Sequence, residues 1–221
     1  GPKARDVLVG LTEASLENAN FPWRTAQQIE IARIPTLALR INYVGELGWE
    51  LHPAMADLPA LYAAVWAAGE AHGIADFGLY AMNSLRMEKG YRGWGAELTN
   101  EVTMLEADMA RFYASAKEDF VGRAATETNE AGPLRLVYFE VEAQDADVRG
   151  GEPIFLGDTC VGVTTSGGYG YAVEKSLGFG YVPPEQAEPG SVIDIGLLDA
   201  RCRATVLAEP IYDPANERLA S

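Results

Sequence analysis

The chain is poor in the residues that most metal and nucleophilic chemistry needs. Of its 221 residues only two are cysteine, Cys160 and Cys202, and only two are histidine, His52 and His72. Two thiols without a CxxC spacing make neither a disulfide framework nor a zinc site, and they suit a reducing compartment. With no HxxxH or HxH pair, a histidine-based metal centre and a Ser-His-Asp triad are both disfavoured, and no metal ligand is assigned. Positive charge is scarce too: 17 Lys and Arg face 32 Asp and Glu, a formal net charge of −15. Such a field repels phosphate backbones and anionic lipid, which argues against nucleic acid and membrane surfaces as partners. Long hydrophobic runs are missing as well. The most apolar segment, "LPALYAAVWAAGEAHGI", is interrupted by Glu70 and His72 and is too short to span a bilayer.

What remains is an ordinary globular composition, 48% apolar, with length enough for one large domain or two small ones. The chain opens on "GPKARDVLVGL", without an initiating Met, and already reads there as helix interior between Pro2 and Gly10. A piece of a longer chain is the expectation. "TEASLENANFP" places Thr12 and Glu13 in capping positions ahead of a break at Pro22. Strand-like runs follow, "RTAQQIEIARI" and "TLALRINY". Apolar residues then recur at helical spacing from Asp57 to His72, closed by Gly73, and again from Leu79 to Gly90. Strand, strand, helix, helix is an α+β order. Residues 102 to 128 read as patchy helix, with "FVGRAATE" a short one. "TNEAGP", residues 128 to 133, is the linker candidate, giving regions 1–128 and 129–221. Beyond it six strand-like runs separated by turn residues predict a compact barrel or sandwich.

Three clusters could carry chemistry. "INYVGELGWELH" gathers Tyr43, Glu46, Trp49 and Glu50 around Gly45 and Gly48, glycines that permit positive φ or a close approach. By strand parity Glu50 lies opposite Trp49. A solvent-facing hairpin tip and a ligand loop both fit that pattern. "YAMNSLRMEKGYRGWGAELTN" crowds Arg86, Glu88, Lys89, Arg92 and Glu97 near Trp94, which stands between two glycines. A solvated charge cluster at a helix end is the plain reading there, and a tryptophan displayed to something planar is the other. "TTSGGYGYAVEKSLGFGYV" lacks the GxGxxG or Gly-Lys-Ser/Thr spacing of a phosphate loop, so its glycines read as tight turns between barrel strands.

Taken in order, these clusters and the closing "ATVLAEPIYDP" resemble the glycine cleavage T-protein (aminomethyltransferase) superfamily, in particular the folate-binding C-terminal half of dimethylglycine and sarcosine dehydrogenases. The likeness runs along nearly the whole chain. It implies a folate-binding α+β region followed by an antiparallel β-barrel, with tetrahydrofolate as cofactor and partner. It implies that Glu50 grips the pterin and that Tyr43 contacts it, since a carboxylate accepts the pterin's two-donor edge bidentately. Trp94 is a candidate aromatic wall on its own setting, and Arg86, Lys89 or Arg92 a candidate cation for the folate's anionic tail. T-proteins proper carry a cofactor-binding Arg where this chain has Met82, which moves the likeness toward the dehydrogenases. The family's catalytic Asp lies upstream of the matching region, so no catalytic residue is assigned here. An upstream flavin domain with FAD would oxidise an N-methyl amine, and its iminium carbon would pass to tetrahydrofolate as 5,10-methylenetetrahydrofolate. Bacterial cytosol and mitochondrial matrix both suit this reading. A stand-alone aminomethyltransferase or demethylase and a non-catalytic folate-binding module are the alternatives.

Overall fold

A computed structural model describes residues 1–128 and 132–221. In chain order its elements are α1 (Ala4–Leu8), β1 (Ala26–Ile31), β2 (Ile34–Leu39), β3 (Glu50–Pro53), α2 (Leu58–Gly69), α3 (Leu79–Glu88), α4 (Arg123–Thr128), β4 (Arg135–Val141), β5 (Pro153–Leu156), β6 (Thr159–Gly170), β7 (Lys175–Val182), β8 (Val192–Leu197), β9 (Ala200–Val206) and α5 (Glu217–Ala220). They form two compact units, Gly1–Leu85 with Asp213–Ser221, and Arg86–Tyr212. The division falls inside α3, so residues 86–128, expected with the first region, pack in the same unit as the barrel. Part of the expected linker, residues 129–131, lies outside the described residues.

The first unit is built on an antiparallel sheet in the order β1-β2-β3. Its core joins Leu8, Leu16, Phe21, Ile31, Ala38 and Leu61, with Trp49, Leu51 and Val65 packed against them. Helix α2 runs on into a 3-10 turn over Glu70–His72, which closes where the sequence predicts, on Gly73 in the left-handed region at φ 77°. Residues 12 to 22, where Thr12 and Glu13 stand in capping positions, form bends and turns. The Thr12 hydroxyl does accept a local N–H, from Ala14 at 3.1 Å, but this closes a turn that no apolar helical stripe prolongs.

The second unit carries a closed barrel, β4-β7-β6-β5-β8-β9, every ladder antiparallel. All six predicted strand runs are present. Period-two alternation sorts them into two faces. Val137, Phe139 and Val141 of β4 point into the barrel with Ile154, Val182, Ile193, Ile195 and Val206. Leu136 and Tyr138 point outward and meet Leu177, Phe179 and Tyr181 of β7 and Met87 of α3. Burial of each large side chain in such a cluster contributes about 1.5–3 kcal/mol. The Tyr138 hydroxyl donates to the Met87 carbonyl at 2.9 Å, tying the end of α3 to this outer face. Helix α3 is therefore buried by position rather than by stripe: Leu79 is 78% exposed, whereas Arg86, Met87 and Glu88 are all buried.

The glycines of "TTSGGYG" and "SLGFGYV" are not turn residues, contrary to the sequence reading; they lie inside β6 and β7. On β7 the outward positions are Leu177, Phe179 and Tyr181, and the intervening positions are glycine. A Cβ on Gly178 would sit 2.7 Å from the Phe139 ring, and one on Gly180 would sit 2.6 Å from Ile154 Cδ1. Rings and branched chains from other strands fill the space these glycines leave. Gly178→Ala is expected to lower stability by about 1–3 kcal/mol through overpacking, read as a shift in the urea unfolding midpoint at unchanged slope.

Candidate functional site

In the first unit the candidate residues sit on the connection from β2 to β3. A single side chain organises this loop. Asn42 Oδ1 accepts N–H bonds from Val44 at 2.9 Å, Gly45 at 2.8 Å and Glu46 at 3.3 Å, and its Nδ2 donates to the Glu46 carbonyl. Gly45 takes φ 76°, which an L side chain resists. Gly48 does not need that freedom; its nearest would-be contact is an ordinary 3.5 Å. Tyr43 is half-buried on this clipped loop. Strand β3 then begins at Glu50, whose carboxylate stands 3.3 Å from His52 Nε2 on the same face and is 47% exposed. Trp49 turns the other way, onto the core, edge-on to Phe21 at 6.0 Å and under the Arg40 guanidinium at 5.5 Å. Glu46, which the sequence leaves without a role, lies 3.8 Å from Arg218.

In the second unit the expected charge cluster is not solvated. Arg86 and Glu97 face each other at 3.1 Å with side chains 6% and 0% exposed. Arg86 also donates to the Tyr91 carbonyl at 2.9 Å and to Ser166 Oγ at 2.8 Å. Glu97 accepts the Gly93 N–H at 2.6 Å, the Thr165 hydroxyl at 2.7 Å and the Ser166 hydroxyl. Its own carbonyl accepts the Tyr181 hydroxyl at 2.7 Å. A buried ion pair is tolerable only when its remaining lone pairs and protons are satisfied in this way. Where the sequence set Arg86 toward a ligand's carboxylate, the structure sets it toward Glu97. Glu88 is likewise internal: its Oε1 accepts the Ala172 N–H at 2.6 Å at the tip of the β6–β7 hairpin. Trp94 is the exception to all this burial, 79% exposed between Gly93 and Gly95.

Tyr43 and Glu50 thus share one loop–strand segment of the first unit. Arg86 and the Trp94 loop are joined in the second through Glu97. A cleft of about 700 Å³ beside β1 and one of about 560 Å³ at the 143–149 loop are lined by none of these four residues. Among the described residues no group of His, Cys, Asp and Glu is placed to hold a metal ion, and no helix is long and apolar enough to cross a membrane. Cys160 on β6 and Cys202 on β9 are separated by β5 and β8. Sequence reasoning missed Asn42, for which an Asn three residues before a turn glycine was the available signal. It also misjudged Glu97, for which a local pattern of charges carried no sign of burial.

Glu50 can accept two parallel N–H donors, Trp94 can cover a flat ring, and both stand on backbone fixed by buried or loop-closing hydrogen bonds. The architecture is an α+β unit followed along the chain by a closed six-stranded antiparallel barrel. The "GCVT N-terminal domain" family matches residues 1–117, and the "Glycine cleavage T-protein C-terminal barrel domain" family matches residues 135–213. The chain belongs to the glycine cleavage T-protein family. It is 40% identical over 224 residues to human mitochondrial dimethylglycine dehydrogenase, covering 99% of this chain and 26% of that protein. It is 35% identical to mouse mitochondrial sarcosine dehydrogenase, covering 99% of this chain and 25% of that protein. With the aminomethyltransferase of Corynebacterium aurimucosum the identity is 33%, over 96% of this chain and 58% of the relative. The crystal structure of glycine cleavage system aminomethyltransferase T from Bartonella henselae superposes with a TM-score of 0.82 at 22% identity, covering 95% of this chain and 57% of that one, and shares its fold. The chain thus spans about a quarter of the dehydrogenases it matches.

Arg86→Met leaves the Glu97 carboxylate buried without its counter-charge and is expected to destabilise by about 3–5 kcal/mol in urea unfolding. A second outcome concerns alkaline pH. Burial first, then the carboxylates of Glu97 and Glu106, push the Tyr181 phenol from 10.0 up to about 12. An unfolded phenol loses its proton at a pH where the folded one keeps it. The contribution of this group is therefore whole below pH 10.0 and is lost as pH rises toward about 12. Unfolding midpoints across this range should fall less steeply for Tyr181→Phe than for the unmutated chain.

Proposed function

We propose that this chain is the tetrahydrofolate-binding, one-carbon-transfer region of a dimethylglycine or sarcosine dehydrogenase-like flavoenzyme. The observation that carries the reading is the geometry of Glu50. It is a half-exposed carboxylate on the first residue of a strand, held out by an Asn42-clipped loop, in a chain 40% identical to a dimethylglycine dehydrogenase along nearly all its length. A pterin presents an amino group and a ring N–H side by side, and a carboxylate accepts such an edge through two charge-assisted bonds.

In this reading Glu50 sets the orientation of the ring and Tyr43 contacts it, both on the first unit, and Trp94, on the second, is an aromatic face suited to a flat ring. Bound tetrahydrofolate would accept the one-carbon unit as 5,10-methylenetetrahydrofolate. The residues of this chain bind and orient it. Arg86 is left out of the binding set because its guanidinium is buried against Glu97 and Ser166. Lys89 is buried as well, and Arg92 lies over the Phe179 ring beside Asp108. Oxidation of the methylamine on FAD is assigned to a further domain of a longer parent chain. The present chain by itself would then carry out neither the oxidation nor the complete transfer. The location follows the relatives: mitochondrial matrix in a eukaryote, cytosol in a bacterium.

Glu50→Gln is the test. Calorimetric titration with tetrahydrofolate is expected to show a loss of about 1–3 kcal/mol, the effect of removing the charged partner of a hydrogen-bonded pair. An unchanged affinity would remove Glu50 from the site. The 33% identity to an aminomethyltransferase supports a second reading, a transferase acting without a flavin. Assay of the full-length parent protein for dimethylglycine-dependent reduction of an electron acceptor separates the two.

A further inference from the structure

The Trp94 loop is more tightly held than an exposed loop requires. Within residues 93 to 98, the N–H groups of Ala96, Glu97 and Leu98 converge on the Gly93 carbonyl at 3.3, 3.1 and 3.1 Å, and the Gly95 N–H donates to Leu98 at 2.8 Å. Gly95 takes φ 85° to permit this. Beneath the loop lies the Glu97 carboxylate. One oxygen accepts the Gly93 N–H and Arg86, the other accepts Thr165 and Ser166 from β6. The Glu97 carbonyl accepts Tyr181 from β7. The residue before Trp94 and the residue three beyond it are thus fastened to two barrel strands, while the indole itself is 79% exposed.

Stability alone is a poor account of this arrangement. Burying a carboxylate and a guanidinium is costly, and an apolar pair of the same volume often serves a fold as well. What an apolar pair cannot do is bond the Gly93 N–H and two hydroxyls at fixed angles. A displayed aromatic stacks on a flat ligand more tightly when its backbone needs no ordering on binding.

Resting on the folate reading of Trp94, we propose that Glu97 is a positioning residue: it fixes the 93–98 loop so that the Trp94 indole is already set to stack on a planar fused-ring heterocycle. Glu97 touches no ligand in this arrangement and acts through Trp94.

A double-mutant cycle on the full-length protein tests this, with tetrahydrofolate affinity measured by calorimetry for the unmutated protein, Trp94→Ala, Glu97→Gln and the double variant. Trp94→Ala is expected to weaken binding roughly tenfold, the usual effect of losing one stacking face. Glu97→Gln should weaken it several-fold when Trp94 is present and leave it unchanged when Trp94 is already alanine. Equal losses in both backgrounds would overturn the proposal, since Glu97 would then act through the fold at large. Should Glu97→Gln fail to fold, Thr165→Val removes one donor to the same carboxylate and enters the same cycle with the same expectation. No effect of Trp94→Ala would sink the stacking role and this proposal with it. A retained loss for Glu50→Gln in that case would show that the folate reading stands without Trp94.

Discussion

Two opposite charges taken out of water at the last turn of α3 set the terms for the second unit. Arg86 and Glu97 are each nearly inaccessible, and a carboxylate buried without donors would shed its charge or unfold its surroundings. Everything that satisfies them is therefore also fixed by them: the Tyr91 carbonyl, the Gly93 N–H, and the hydroxyls of Thr165 and Ser166. Glu88, two residues on from Arg86, does the same for the tip of the β6–β7 hairpin. One helix end thus anchors a displayed loop and a barrel hairpin. The Met87 side chain adds the apolar part of the same joint, and its carbonyl accepts the Tyr138 hydroxyl.

The first unit solves a similar problem with less charge. Its loop from β2 to β3 is closed by the amide of Asn42, so the backbone donors of three residues are met locally. Trp49 is drawn inward onto Phe21, which leaves Glu50, one position later on a strand, no choice but the opposite face. The carboxylate is exposed because its neighbour is not.

These differences explain what could be read from the sequence. Period-two and period-3.6 patterns predict the six barrel strands and α2, because burial of one face leaves a regular trace; α3 is found where its apolar spacing predicts it, though its burial follows position along the helix and not that spacing. The face of Glu50 follows from the same parity. Glu97 was illegible for the converse reason: its partners, Thr165, Ser166 and Tyr181, lie some seventy or eighty positions away, and nothing local distinguishes a buried carboxylate from a solvated one. The β7 glycines were misread because a glycine that yields space to Phe139 looks the same in sequence as one that bends a turn. Thr12 and Glu13 stand in capping positions yet head no helix, because capping residues alone do not make one when no apolar face continues it.

The division inside α3 bears on how the molecule can be taken apart. Leu136, Tyr138, Leu177 and Phe179 form an outward-facing apolar strip on the barrel, and Met87 belongs to the cluster that covers it. A barrel produced from residue 129 onward would keep its filled interior yet present that strip bare to water, together with hydroxyls on β6 that had lost their carboxylate. Such a piece would be prone to self-association through its side rather than to unfolding. The cover of this barrel's outer strip begins within a helix, before the first of the barrel's own strands.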